Sequence, residues 1–162
     1  MTEPALPTHV SFVCSGNICR SPYAEARFRR WLEDEGWSDR IEVSSAGTLG
    51  IFDRPAHPLS IAVGEDLELS GHRSRGVNLR YLKGCGLVLG LSPYHVEELR
   101  EDYADFRGRV YLLGSFPDSH LDGEDVPDPI GHGLPEFHDM AVRIDAHVAR
   151  IGPAVLDYFG MA

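Results

Sequence analysis

The sequence predicts an α/β fold, a parallel sheet with helices on both faces. Three observations point there. Short β-rich runs alternate with runs whose apolar residues recur every three or four positions. One run, Gly86 to Leu91, is almost wholly apolar, as a strand covered on both faces should be. The first run stops at a Ser-Gly turn that leads into a Ser-Pro helix start. Parallel neighbours need right-handed crossovers, and ligands in such sheets bind beyond the C-terminal strand ends.

The elements follow in order. His9 to Val13 is short and β-rich and reads as a strand. Ser21 is placed to cap a helix with Pro22 at its first position. Ala24, Phe28, Trp31 and Leu32 then recur at helical spacing. Ile41 to Ser45 is a second strand, followed by a loop with Gly47, Gly50, Pro55 and Pro58. Leu59, Ala62, Val63 and Leu67 mark a helix that stops near Ser70-Gly71. After the Gly86–Leu91 strand, Pro93 to Tyr103 reads as a helix and Val110 to Leu113 as a strand. Gly114 to Gly133 is rich in Asp, Pro and Gly and reads as a long loop. Leu134, Phe137, Ala141, Ile144, Val148, Ile151 and Val155 mark one long final helix, with a kink expected at Gly152-Pro153.

Composition narrows the function. The 162 residues carry a formal charge of -10, which argues against nucleic-acid and anionic-membrane binding. No apolar run is long enough to span a membrane, and Met1 to Thr8 lacks an apolar signal core. Three cysteines do not make a disulfide framework, so a reducing, cytoplasmic setting is expected. The charge is uneven. Residues 13–31 hold four Arg and one Glu, and residues 71–83 hold three Arg and Lys83 with no acid. The acids concentrate in 32–70 and 92–128.

The first strand ends at Cys14, and the next residues are Ser15-Gly16-Asn17-Ile18-Cys19-Arg20-Ser21-Pro22. A small, Gly-containing loop that opens into a helix N-terminus lets successive N–H groups converge on an anion. Asn17 tolerates the left-handed backbone such a curl needs. Arg20 offers a fork of donors that matches two phosphate oxygens. Cys14, at the base, is expected to feel both the helix dipole and the Arg, which favour a nucleophilic thiolate.

This stretch, V-C-S-G-N-I-C-R-S-P, resembles the signature of the low-molecular-weight protein tyrosine phosphatases. Ser44-Ser45-Ala46-Gly47-Thr48, Gly71-His72-Arg73-Ser74-Arg75 and Val126-Pro127-Asp128-Pro129 resemble three further segments of that family, in the same order. The resemblance runs from residue 9 to about 159 and implies a single phosphatase domain over 1–162. It implies a flavodoxin-like three-layer sandwich, a four-stranded parallel sheet with helices on both faces. It also implies hydrolysis of protein phosphotyrosine and small aryl phosphates, without a cofactor or metal. By resemblance, Cys14 is the nucleophile, Arg20 binds phosphate and Asp128 is the general acid and base. Ser15, Gly16, Asn17, Ile18 and Cys19 would complete the phosphate loop with Arg20. Ser21, Asn17, Ser45 and His72 match the family's supporting network, with Ser21 donating to the thiolate. Cys19 matches a second cysteine that forms a reversible disulfide with the nucleophile in the family.

The sequence departs from the family around the substrate ring. Ile130 and His132 follow the Asp-Pro where aromatics are common, and Ile51 and Phe52 stand at the opposite wall. Alternative readings are a protein arginine phosphatase of the same fold and a non-catalytic phosphate-binding module. The arginine enzymes carry Thr at the place of Ile18, and a binding module has no use for a nucleophile and an acid. Arsenate reductases of the fold need two further cysteines downstream; Cys85 stands alone and is expected to be a core residue.

Overall fold

A computed structural model describes residues 5–161. Strand β1 (His9–Cys14) leads to helix α1 (Arg20–Glu35) and strand β2 (Glu42–Gly47). Two short helices follow, α2 (Pro58–Val63) and α3 (Leu79–Lys83). Strand β3 (Leu87–Gly90), helix α4 (Pro93–Asp102), a 3-10 segment (Ala104–Arg109), strand β4 (Val110–Leu112) and helix α5 (Leu134–Tyr158) complete the chain. The four strands pair in parallel in the order β2-β1-β3-β4.

That order positions the site. The chain steps from β1 outward to β2, then returns across β1 to β3. The crossovers therefore part at the C-terminal ends of β1 and β3, which is the crevice where doubly wound sheets bind ligands. The loops after Cys14 and after Gly90 open there.

Strand alternation divides the core. Val10 and Phe12 of β1 and Leu87 and Leu89 of β3 face α1, α2 and α5, where they pack with Phe28, Leu32, Phe137, Ile144 and Val148. Val13 and Val88 face the other side and pack with Leu82, Val96 and Leu99 of α3 and α4. Cys85 is buried in this second cluster. No helix among the described residues is long and apolar enough to cross a membrane.

Two expectations need correction, and two short elements escape the sequence pattern. Helix α1 starts at Arg20 with Cys19 at its N-cap, so Ser21 lies inside the first turn and its hydroxyl is used elsewhere. The α2 helix is only six residues long and is capped by Gly64, where an added Cβ would meet Leu69 at 2.6 Å. Helix α5 runs unbroken through Gly152-Pro153. The glycine answers a packing demand: a Cβ there would lie 2.2 Å from the Trp31 ring of α1. Helix α3 and the 3-10 segment carry too few apolar repeats to be seen as periodicity.

Candidate active site

The loop from Cys14 to Arg20 is turned by what its carbonyls bind. Thr48 N–H donates to Cys14 O, Leu49 N–H to Ser15 O and His57 N–H to Ile18 O, at 3.0, 3.0 and 2.8 Å. Ser60 Oγ donates to Cys19 O and His72 Nε2 to Asn17 O. In a trans peptide the next N–H points opposite to the carbonyl. With five carbonyls drawn outward, the N–H groups of Ser15, Gly16, Ile18, Cys19 and Arg20 turn toward the loop's interior. Such a concave nest attracts an anion. Gly47 makes room for it, since an added Cβ would sit 2.5 Å from Ser15 O.

Asn17 holds the curl at φ 59, the left-handed region. Each of its groups has a partner. Nδ2 donates to Ser21 Oγ (2.8 Å) and Ser45 Oγ (2.9 Å), and Oδ1 accepts from Arg75 N–H (3.0 Å). Ser45 passes its own hydrogen to Glu25 Oε1 at 2.6 Å, and Glu25 pairs with Arg29. Ser21 Oγ thus accepts from Asn17 and shares a hydrogen bond with Cys14 Sγ, 3.0 Å away, in which it is free to donate once the sulfur is a thiolate. The structure brings together Asn17, Ser21, Ser45 and His72, the residues named above by resemblance. Glu25 joins them with no such signal.

Arg20 is almost fully buried. Nη1 donates to Ser92 Oγ (2.9 Å) and Val126 O (3.0 Å), and Nη2 to Tyr94 OH (2.9 Å). Asp128 lies 3.6 Å from Nη2. Burial opposes the charge, but Cys14, Tyr94 and Asp128 outweigh it and hold the guanidinium pKa above its usual value. Three of the five guanidinium donors are used among the described residues. The remaining two, Nε–H and one Nη2–H, form one edge of the fork.

His95 lies beneath the loop, buried. Ser92 N–H donates to its Nδ1 at 3.1 Å, which puts the ring proton on Nε2. Nε2–H then donates to Ser15 Oγ at 3.0 Å. Burial, reinforced by the Arg20 charge, pushes the His95 pKa down to about 3. The ring is neutral at physiological pH. Cys19 is also buried, and burial, with Asp128 and Cys14 adding to it, pushes its thiol up to about 12. Both cysteines are free thiols. Sequence reasoning missed Ser92, Tyr94 and His95. Their one signal is position, at the N-cap and in the first turn of α4, directly after the strand that shares the switch point with β1.

A cavity of about 270 Å³ opens above the loop, lined by Cys14, Arg20, Asp128 and four aliphatic side chains, Ile18, Leu49, Ile51 and Ile130. Ile51 and Ile130 are where the sequence places the walls. Phe52 and His132 are not. Phe52 is turned out so that its ring rests against Gly76. His132 lines a second cleft behind Asp128, with Pro135 and Glu136. Leu49, unassigned by sequence, takes a place on the wall. Asp128 is held in a turn, its Oδ1 accepting from Ile130 N–H at 3.1 Å.

A model of the low molecular weight phosphotyrosine protein phosphatases matches residues 9–155. A low molecular weight protein-tyrosine-phosphatase of Streptomyces coelicolor is 37% identical over 142 residues, covering 85% of this chain and 87% of that one. The crystal structure of the low molecular weight protein tyrosine phosphatase from T. tengcongensis superposes with a TM-score of 0.82 at 29% identity, covering 90% and 98%. The YwlE arginine phosphatase of Geobacillus stearothermophilus shares the fold, with a TM-score of 0.81 at 23% identity over 93% and 94%. The chain belongs to the low molecular weight protein tyrosine phosphatase family, whose members are hydrolases with this flavodoxin-like fold.

Proposed function

We propose that the protein hydrolyses phosphotyrosine in proteins, and small aryl phosphates, through a phosphocysteine. The observation that carries the reading is the convergence of Cys14, Arg20 and Asp128 on one cavity with aliphatic walls. Cys14 Sγ, as thiolate, attacks phosphorus while the bond to the tyrosyl oxygen breaks. The loop N–H groups and the open edge of Arg20 hold the equatorial oxygens, so the work is positioning and charge stabilisation. Asp128 gives its proton to the departing oxygen, because a phenol with pKa about 10 leaves poorly as an anion. Water then attacks phosphorus, Asp128 takes its proton, and the S–P bond breaks to release inorganic phosphate and the Cys14 thiolate.

The walls favour an aryl substrate. A tyrosyl ring gains burial between Ile18, Leu49, Ile51 and Ile130, while a phosphoguanidinium would lose water there with few polar partners. The acidity of the chain favours phosphoproteins over nucleic acid as partners, and a cytoplasmic setting fits the three free thiols.

The test is turnover of p-nitrophenyl phosphate without added metal, between pH 5 and 8. The wild type should turn over and Cys14→Ser should not; a silent wild type sinks the reading. Asp128→Asn should slow phenyl phosphate about 10²- to 10⁴-fold. It should slow esters of good leaving groups much less, and equal losses would remove Asp128 from the acid role. Peptides carrying phosphotyrosine, phosphoarginine and phosphoserine, assayed side by side, should rank phosphotyrosine first.

A further inference from the structure

The acid loop is fastened to the phosphate-binding arginine at its root. Val126 N–H donates to the carbonyl of Leu91, the residue that follows β3, and Val126 O accepts from Arg20 Nη1. One residue earlier, the Asp125 carboxylate accepts the hydrogen of Ser92 Oγ. Ser92 Oγ in turn accepts from the same Nη1. A hydroxyl has one hydrogen and two lone pairs, so it relays between the cation and the carboxylate without conflict. One residue before Asp125, Glu124 is held by Arg143 at 3.4 Å and His147 at 3.3 Å, both from α5. Asp128 follows three residues after Asp125 and ends 3.6 Å from Nη2.

We propose that Asp125 and Ser92 act as positioning residues, a relay that orients Arg20 and sets the acid loop on it. The proposal rests on the reading that Arg20 binds the phosphoryl group. A buried guanidinium needs negative partners, and an incoming dianion competes for its orientation. Asp125, acting through Ser92, holds the cation from behind, so the open edge faces the cavity before substrate arrives. Because Asp125 belongs to the segment that carries Asp128, the same contact registers the proton donor against the phosphate site. Neither residue touches the cavity.

The experiment compares Asp125→Asn, Ser92→Ala, their double variant and Ser92→Thr, using inorganic phosphate as a competitive probe and a series of aryl phosphates as substrates. The wild type's own turnover separates the two readings. A wild type without turnover fails the phosphatase assignment; an active one makes the variants decisive. Each single variant should weaken phosphate inhibition roughly tenfold, the double should be no worse than the weaker single, and Ser92→Thr should restore most of the loss. Asp125→Asn should also steepen the dependence of kcat on leaving-group basicity, an effect that vanishes in an Asp128→Asn background. Multiplying losses, unchanged phosphate inhibition, or an unchanged leaving-group dependence would each overturn the relay. A lowered melting temperature alone, with both readouts at wild-type values, would make the contact structural and overturn it too.

Discussion

At the scale of the residue, His95 carries the clearest consequence. Its ring sits neutral under the loop, with the proton fixed on Nε2 by the Ser92 N–H. Its folded pKa, about 3, lies below the value near 6.5 of an exposed histidine. The unfolded chain therefore binds a proton there that the folded chain refuses. Stability from this group is complete above pH 6.5 and falls as pH drops toward 3. His147, lowered by burial and by Arg150, acts in the same direction. In urea unfolding between pH 7 and 5, His95→Gln should flatten the loss of stability relative to wild type. Parallel slopes would contradict the buried neutral ring. Cys19 illustrates the opposite shift: pushed up to about 12, it stays a thiol at neutral pH. In an exchange with an oxidised Cys14 it would attack slowly unless deprotonated.

At the scale of the element, two glycines separate activity from stability. Gly47 ends β2 against the phosphate loop, and a Cβ would crowd Ser15 O at 2.5 Å and Asn17 N at 3.0 Å. Both contacts are backbone, so the loop itself must move. Gly47→Ala should cut kcat/KM at least tenfold, while far-ultraviolet circular dichroism stays that of the wild type. Gly152 lies in α5 where it crosses α1, and its neighbour is the Trp31 ring, stacked on Phe28. Gly152→Ala should cost about 1–3 kcal/mol in unfolding free energy and leave kcat/KM near wild type. Reversed effects in the two variants would contradict these placements. The Gly152-Pro153 pair, read in sequence as the place of a kink, lies inside one continuous helix, and the close approach of a second helix demands the glycine.

At the scale of the molecule, charge is segregated along the chain. The basic segments 13–31 and 71–83 supply the Arg20 guanidinium, the His72 ring and the Arg75 backbone N–H to the phosphate loop, while the acids lie largely in 32–70 and 92–128. A net charge of -10 thus coexists with a local site for a dianion. Phosphopeptides with basic flanks should show lower KM than acidic-flanked ones at low salt, with the gap closing above about 0.15 M. Equal KM values at low salt would contradict this.

Local pattern in the sequence is enough to determine the alternating α/β class, the long apolar stripe of α5 and the loop of Cys14 to Arg20. Strand alternation and helical spacing are local, and a five-residue loop between a strand and a helix carries its own geometry. The network of Asn17, Ser21, Ser45 and His72 was legible only through resemblance, because its members are up to 55 residues apart. The tertiary structure alone decided what holds Arg20 and what walls the cavity. Ser92, Tyr94, His95 and Asp125 reach the site because the strand order β2-β1-β3-β4 puts the ends of β1 and β3 side by side. Leu49 rather than Phe52 faces the cavity because the turn between them sets which side chain points inward. Pairing of elements distant in the chain depends on packing energy summed over the whole core, and no short stretch of sequence contains it.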